Sequence, residues 1–195
     1  MSQYTDLTAA IVGWTKKSNL STEMDIAIKN AIRKAHNAGK FARDLVTVDL
    51  TGLTIQQIQA IDYTNAVNFE RFRQLCTIGP TGVDFQYDIV NVLDLFDSDH
   101  YARDDIAYIV GTEINVRAAS PTDALTLRYY RRPDLAVIAD LNDWIVDQHF
   151  DLISLWATSS VLTVMNEKEI ASRVDNLAAL SYADLIADSV ESQGR

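Results

Sequence analysis

A strand-like pattern leads directly into a long helical pattern within residues 124–164. Leu125, Leu127 and Tyr129 alternate with polar residues, which is the two-residue period of a half-buried strand. Pro133 is expected to end this strand, because proline has no backbone N–H to donate and restricts the residue before it. One strand therefore precedes one large helix, around which the rest of the chain is expected to pack.

The predicted helix after Pro133 is apolar on more than one side, so we expect several neighbouring elements to cover it. Its two apolar bands comprise Leu141, Trp144, Ile145, Leu152, Leu155 and Trp156, and beside them Val146, Phe150, Ile153 and Ala157. Its polar strip is predicted to comprise Asp147, Asp151, Ser154 and Thr158. Asp140 or Asn142 is the expected N-cap, since a carboxylate or amide oxygen can accept from the first free N–H groups.

Two further helices are predicted within the first 40 residues. The first has Thr5 or Asp6 as its expected N-cap. The second begins near Ser21 and is expected to end at Gly39. Their apolar faces, at helical spacing, comprise Leu7, Ala10, Ile11 and Trp14 in the first and Met24, Ile28, Ala31, Ile32 and Ala35 in the second.

The middle of the chain has the composition of strands. Residues 45–50 alternate and are rich in β-branched side chains. Segments 106–117 and 124–130 are predicted to be two strands that form a hairpin through a turn at 119–123. Residues 54–65 fit a short helix or an extended edge, and residues 83–96 fit neither period alone. Gly79, Pro80, Thr81 and Gly82 indicate a turn.

A last helix is predicted over 167–190, with an apolar stripe of Ile170, Val174, Leu177, Leu180, Ala183, Leu185 and Ile186. The order of elements predicts an α+β fold with an N-terminal helix pair, a strand-rich middle containing a β-hairpin, and a C-terminal long helix pair. We expect a single domain over 1–195. Its helical core is residues 1–40 and 139–190, its strand-rich insertion is 41–135, and its flexible tail is 191–195.

The formal net charge of −10 is unevenly distributed. Residues 1–43 carry +4, whereas residues 44–135 and 136–195 each carry −7. An acidic chain is a poor candidate for tight binding to a phosphate backbone, which requires clustered Lys and Arg. The basic first segment could pair with the acidic remainder of another subunit, and solvated helix faces are the alternative explanation.

Composition also indicates the cellular compartment in which the protein is made. Cys76 is the one cysteine, so a disulfide within the chain is impossible and a site made of cysteines alone is excluded. The sequence has no run of 18 apolar residues, and its first ten residues lack the pattern of a signal peptide. We therefore expect the protein to be made in the cytoplasm and not to enter a membrane.

Most signatures of catalysis are missing: the sequence has no GxGxxG, GxxxxGK[ST], GxSxG or HExxH motif. Asp147 and Asp151 flank His149, but a metal site would need further ligands, and a polar helix strip explains the aspartates. The acidic loop at 97–105 lacks the glycine and glutamate of a calcium loop. We therefore predict no catalytic, cofactor-binding or metal-binding residue. A glycosidase built on some of the 27 acidic residues stays an alternative.

The predicted interface residues lie in two places. Tyr and Arg are enriched at protein interfaces, where they bury area and still form hydrogen bonds. One group is Tyr129, Tyr130, Arg131 and Arg132, for which local packing at a strand end is the alternative. The other is the tail without apolar residues, Glu191, Ser192, Gln193, Gly194 and Arg195, which could become ordered against a neighbour.

Spaced apolar and aromatic positions across most of the chain resemble the head-to-tail adaptor (head-completion or connector) proteins of tailed bacteriophages. Residues 4–14 read YTDLTAAIVGW and are similar to the family's YxDLxxAIxxW start. Residues 108–111 read YIVG and precede Ile114 and Val116, and residues 125–130 read LTLRYY and precede Pro133. The Trp144–Ile145 step fits the start of the family's C-terminal helices. Residues 53–105 match least.

The resemblance implies a structural protein of the virion, with no catalytic residues to transfer. The family's members form a ring, usually of twelve copies, below the portal protein and above the tail or nozzle protein, and DNA passes through its lumen. The implied location is the head–tail junction of the virion. The alternatives from the residues themselves are a cell-wall-degrading enzyme of the virion and a generic helical interaction domain.

Overall fold

The computed structural model describes residues 2–55, 58–62, 72–82, 85–93, 104–120 and 122–191. Its fold class is α+β, as predicted: helices come first and last, and the strands lie between them. The helices are α1 (Gln3–Thr15), α2 (Ser21–Ala38), α3 (Trp144–Gln148), α4 (Phe150–Val164) and α5 (Lys168–Glu191). Short 3₁₀ turns lie at Ala42–Asp44 and Ile138–Asp140.

The strands are β1 (Leu45–Ile55), β2 (Ile58–Asp62), β3 (Phe72–Pro80), β4 (Asp88–Ile89), β5 (Ile106–Val110), β6 (Glu113–Arg117) and β7 (Thr122–Arg131). They form two sheets. Sheet A has the order β1-β7-β3 and is antiparallel throughout. Sheet B has the order β2-β6-β5-β4, in which only the β4–β5 pair is parallel.

The chain divides into two compact units. Met1–Ala42 and Arg132–Arg195 form one, which we call the helical unit, and Arg43–Arg131 forms the other, the β unit. The β unit thus falls within the span 41–135, for which the sequence predicted a strand-rich insertion in a single domain.

Helix α4 organises the helical unit, as its two apolar bands predicted. It contacts α1, α2, α3 and α5, and nine of its fifteen residues are buried. The predicted apolar stripe of α2 is buried throughout, and Leu7 and Ile11 of α1 are fully buried against the same core. Burial of these stripes stabilises helices that would be marginal in isolation.

Both sheets contribute to one core in the β unit. Leu125, Leu127 and Tyr129 of β7 are buried, as the alternation predicted. They pack in one cluster with Leu75 and Ile78 of β3 and with residues of sheet B: Ala107, Ile114 and Val116. Gly79 lies where a Cβ atom would overlap the Phe85 carbonyl oxygen, so the close approach of segment 85–87 to β3 requires glycine.

The predicted hairpin between segments 106–117 and 124–130 is wrong. Residues 106–117 are themselves a hairpin, β5 and β6, which turns at Gly111 with φ +59° and Thr112. Strand β7 pairs instead with β1 and β3 in the other sheet. Segment 54–65 proves extended where it is described, since Ile58–Asp62 is strand β2. Gly79 and Pro80 continue β3, so the predicted turn is confined to Thr81 and Gly82.

The predicted helix boundaries also need correction. Ser2, not Thr5 or Asp6, caps α1, because its Oγ accepts from the Thr5 N–H. Asp143, not Asp140 or Asn142, caps the helix that follows the strands. That helix is not continuous: it is interrupted at His149, whose φ and ψ are −125° and 41°. Neighbouring helices cover α4 so fully that Ser154 and Thr158 of the predicted polar strip are buried.

Candidate interaction surfaces

The structure separates the four residues of the predicted Tyr–Arg interface. Strand alternation places Tyr129 in the core of the β unit, where it is buried. Tyr130 lies on the opposite face of sheet A and is half-buried. Arg131 and Arg132 are exposed at the end of β7, where the chain passes from the β unit to the helical unit. Of the four predicted residues, the two arginines are therefore the exposed ones.

The Tyr130 side chain is held in a neutral state. Burial raises the pKa of its phenol above the ordinary value, and the neighbouring Cys76 thiol raises it further. The neighbouring positive charge is that of Arg73, which acts in the opposite direction and lowers this pKa. Cys76 itself is partly exposed.

The predicted C-terminal interface lies mostly beyond the described residues. Helix α5 ends at Glu191. Ser192, Gln193, Gly194 and Arg195 are outside the described ranges.

Helix α5 has large apolar side chains on its solvent side and mostly small ones on its packed side. It buries Ala171, Val174, Ala178 and Leu185. The larger side chains of Ile170, Leu177 and Leu180 are exposed to 43%, 45% and 74%. The prediction that these three belong to the core stripe is wrong. An apolar side of this kind on a surface helix is a candidate surface for contact with another protein.

The exposed residues form a regular row. Ile170 and Leu177 are seven residues apart, Arg173 and Leu180 are seven apart, and Asp184 follows Leu177 by seven. Alternate steps of three and four residues are the spacing of a coiled-coil seam, along which a second helix can pack. We call these five residues the outer face of α5. This spacing was the signal in the sequence for a second packing face.

Helix α2 also has an apolar residue on its solvent side. Ile26 is 55% exposed, and Lys29 and Arg33 lie three and seven residues after it, on the side opposite the buried stripe. Arg33 is exposed and Lys29 is half-buried. We call these three residues the outer face of α2. Trp14 of α1, predicted to be core, is a further exposed aromatic residue of the helical unit.

A buried polar network fixes the positions of α1, α2 and α3. His36 of α2 and Asp143 are both buried, and His36 Nε2 lies 3.0 Å from Asp143 Oδ2. Asp143 Oδ1 accepts from the Ile145 N–H at 2.9 Å and so caps α3. Gln3 of α1 accepts from the Asp143 N–H at 2.8 Å and donates to the Asp143 carbonyl at 3.0 Å. Because each polar group bonds to another helix, the network is structural.

The Asp147–His149–Asp151 sequence does not form a chemical site. Asp147 and Asp151 are exposed, as predicted, whereas His149 Nε2 lies 2.9 Å from Asp188 Oδ2 on α5. This pair connects α5 to the interruption between α3 and α4. In the described ranges no group of three or more His, Cys, Asp or Glu side chains is placed to hold a metal ion. Most of the acidic loop at 97–105 lies outside those ranges.

None of the helices among the described residues combines the length and the apolar composition needed to cross a membrane. Comparison with family models and with curated proteins found no match to this chain.

Proposed function

We propose that this chain is a structural subunit of a tailed-bacteriophage virion: a head-to-tail adaptor that forms a ring between the portal protein and the tail or nozzle protein. The observation that carries the proposal is the outer face of α5. A helix that exposes Leu177 and Leu180 while it buries Ala171 and Ala178 has a surface suited to protein contact.

The residues that resemble the adaptor family support the proposal by the elements in which they occur. The YTDLTAAIVGW segment belongs to α1, and YIVG with Ile114 and Val116 belongs to the β5–β6 hairpin. The LTLRYY segment is part of β7, the central strand of sheet A, and Trp144 begins α3. The resembling positions are therefore parts of regular elements rather than loops.

The charge of the chain suits a channel through which DNA slides. A net charge of −10 per copy repels phosphates, so DNA passing through the lumen of a ring would not be held by it. The exposed Arg131 and Arg132 provide a local positive surface, which we assign to contact with the portal or the tail-side protein. The proposed ring has about twelve copies, and its location is the head–tail junction.

Mixing the purified chain with the portal protein from the same genome tests this function. A ring of twelve copies at 21.8 kDa each would add roughly 260 kDa to the portal assembly, which mass photometry can measure. Electron microscopy should then show an added ring on one end of the portal. Leu180→Asp changes an exposed side chain and should fold normally but add no mass, whereas Lys17→Glu, an exposed change outside both outer faces, should bind normally.

A portal assembly whose mass does not change would count against the adaptor function. Turnover of peptidoglycan that a single Asp or Glu replacement abolishes would replace it with the enzyme alternative.

A further inference from the structure

Two helix faces of the helical unit have apolar residues that no element among the described residues covers. On α2, Ile26 is 55% exposed, and on α5, Leu177 and Leu180 are 45% and 74% exposed. Both helices pack on α4 through their other sides. Within the described part of the chain, neither Arg33 of α2 nor Asp184 of α5 forms an ion pair.

The two faces match in spacing. Arg33 follows Ile26 by seven residues, and Asp184 follows Leu177 by seven. Seven residues of α-helix span about 10.5 Å at 1.5 Å per residue, so two parallel helices can satisfy both pairs in one register. In that register Ile26 packs between Leu177 and Leu180, and the Arg33 guanidinium reaches the Asp184 carboxylate.

Charge favours this pairing over contact between two copies of α5. Helix α5 holds five acidic and two basic residues, whereas α2 holds two acidic and three basic ones. Two α5 helices in an antiparallel pair could match Leu177 with Leu180 and Arg173 with Asp184, but they would bring together two helices of charge −3. Arg173 is in addition already paired with Glu169 at 2.6 Å.

We infer that the outer face of α2 in one copy packs on the outer face of α5 in the next copy, and that this contact repeats around the ring. The inference rests on the proposed adaptor function and identifies its self-contact. Two different surfaces meet, so the contact is heterologous: each copy offers one face to each neighbour, and the assembly closes by rotation.

Cysteine cross-linking of the full chain tests the contact. In a Cys76→Ser background, Ile26→Cys and Leu177→Cys are introduced together, and the protein is oxidised alone and with the portal protein. Disulfides form only where Cα atoms are about 4.4–6.8 Å apart, so a ladder of dimers, trimers and larger species is expected on a non-reducing gel. Each single-cysteine chain is the matched control and should stay monomeric on the gel.

The outcomes separate the contact from the function. A ladder without mass added to the portal would support the contact and reject the adaptor function. A ring on the portal without a ladder from the double-cysteine chain would reject the contact and leave the function standing. Dimers from the Leu177→Cys chain alone would show that α5 pairs with itself, which overturns the inference.

Charge exchange gives an independent test that does not depend on cysteine geometry. Arg33→Glu or Asp184→Arg alone should lower the assembled fraction on the order of tenfold, because like charges then face each other. The chain with both changes should recover assembly to within about a factor of two of the unmodified protein, since the pair is restored with reversed sign. Lys17→Glu is the control for the change in net charge. If it weakens assembly as much as Arg33→Glu does, or if the double change does not recover assembly, the inference is wrong.

Discussion

Leu180 and Leu185 allow the same substitution to be made on two sides of one helix. Leu185 is fully buried, whereas Leu180 is 74% exposed. Replacing a buried leucine by alanine costs about 2–5 kcal/mol of unfolding free energy, because the transfer energy is lost and a cavity remains. Full burial of a leucine contributes about 1.5–3 kcal/mol, and Leu180 buries only about a quarter of its surface, so Leu180→Ala should cost less than about 1 kcal/mol.

Urea unfolding monitored by tryptophan fluorescence measures both variants. Trp14, Trp144 and Trp156 all lie in the helical unit that contains α5, so the signal reports on this unit. The protein should be dilute, because self-assembly would stabilise the folded state by mass action. We expect Leu185→Ala to lower the urea midpoint strongly and Leu180→Ala to lower it only slightly. Leu180→Ala should instead weaken assembly. Equal losses of stability would refute the assignment of Leu180 to an outer face.

Three further changes have defined outcomes. Thr158→Val should raise the unfolding free energy by about 1 kcal/mol in a urea titration, because the Thr158 hydroxyl is buried without a hydrogen-bond partner among the described residues. The Ser159 hydroxyl donates to the Ala171 carbonyl, so Ser159→Ala should lower the unfolding free energy in the same titration. Asp143→Ala should lower the unfolding free energy by about 2–4 kcal/mol, because α3 loses its cap and His36 loses its partner. Asn142→Ala, at an exposed neighbouring position, should lower it by under about 0.5 kcal/mol, and circular dichroism measures both changes. Arg131→Ala with Arg132→Ala should keep the thermal midpoint and weaken portal binding in mass photometry, with Arg128→Ala, an exposed arginine of β7, as control; a fall in monomer stability would instead assign the two arginines to packing.

Elements with one buried face were predictable from the sequence. The stripe of α2 from Met24 to Ala35 and the alternation at Leu125, Leu127 and Tyr129 each have one period and one buried side. The apolar excess of α4 likewise indicated several neighbours, which α1, α2, α3 and α5 provide. In these segments the local pattern and the tertiary packing agree.

Helix α5 shows where periodicity is insufficient. Its apolar residues form two neighbouring rows, and a pattern identifies apolar positions without showing which row a neighbour covers. The row with Ala171 and Ala178 packs on α4, because small side chains let two helix backbones approach closely. The row with Leu177 and Leu180 stays exposed, although it has the larger side chains.

The pairing of strands that are distant in the chain could not be predicted from the sequence either. Strand β7 follows β6 directly but pairs with β1 and β3, which are distant in the chain. Adjacent strands usually pair, so the predicted hairpin followed the common rule and failed here. His36 and Asp143 are 107 residues apart, and no local motif marks either as the partner of the other. The contact between His36 and Asp143 therefore depends on the packing of α2 against α3.

Mass photometry of the purified chain, alone and with its portal protein, tests the central claim most directly. That claim is that this polypeptide acts through the surfaces it offers to copies of itself and to adjoining rings. We predict that the portal assembly gains the mass of one complete ring. Arg33→Glu should lower the fraction of portal that gains this mass on the order of tenfold, whereas Lys17→Glu should not. A chain that stays monomeric at every concentration and leaves the mass of the portal unchanged would contradict the account.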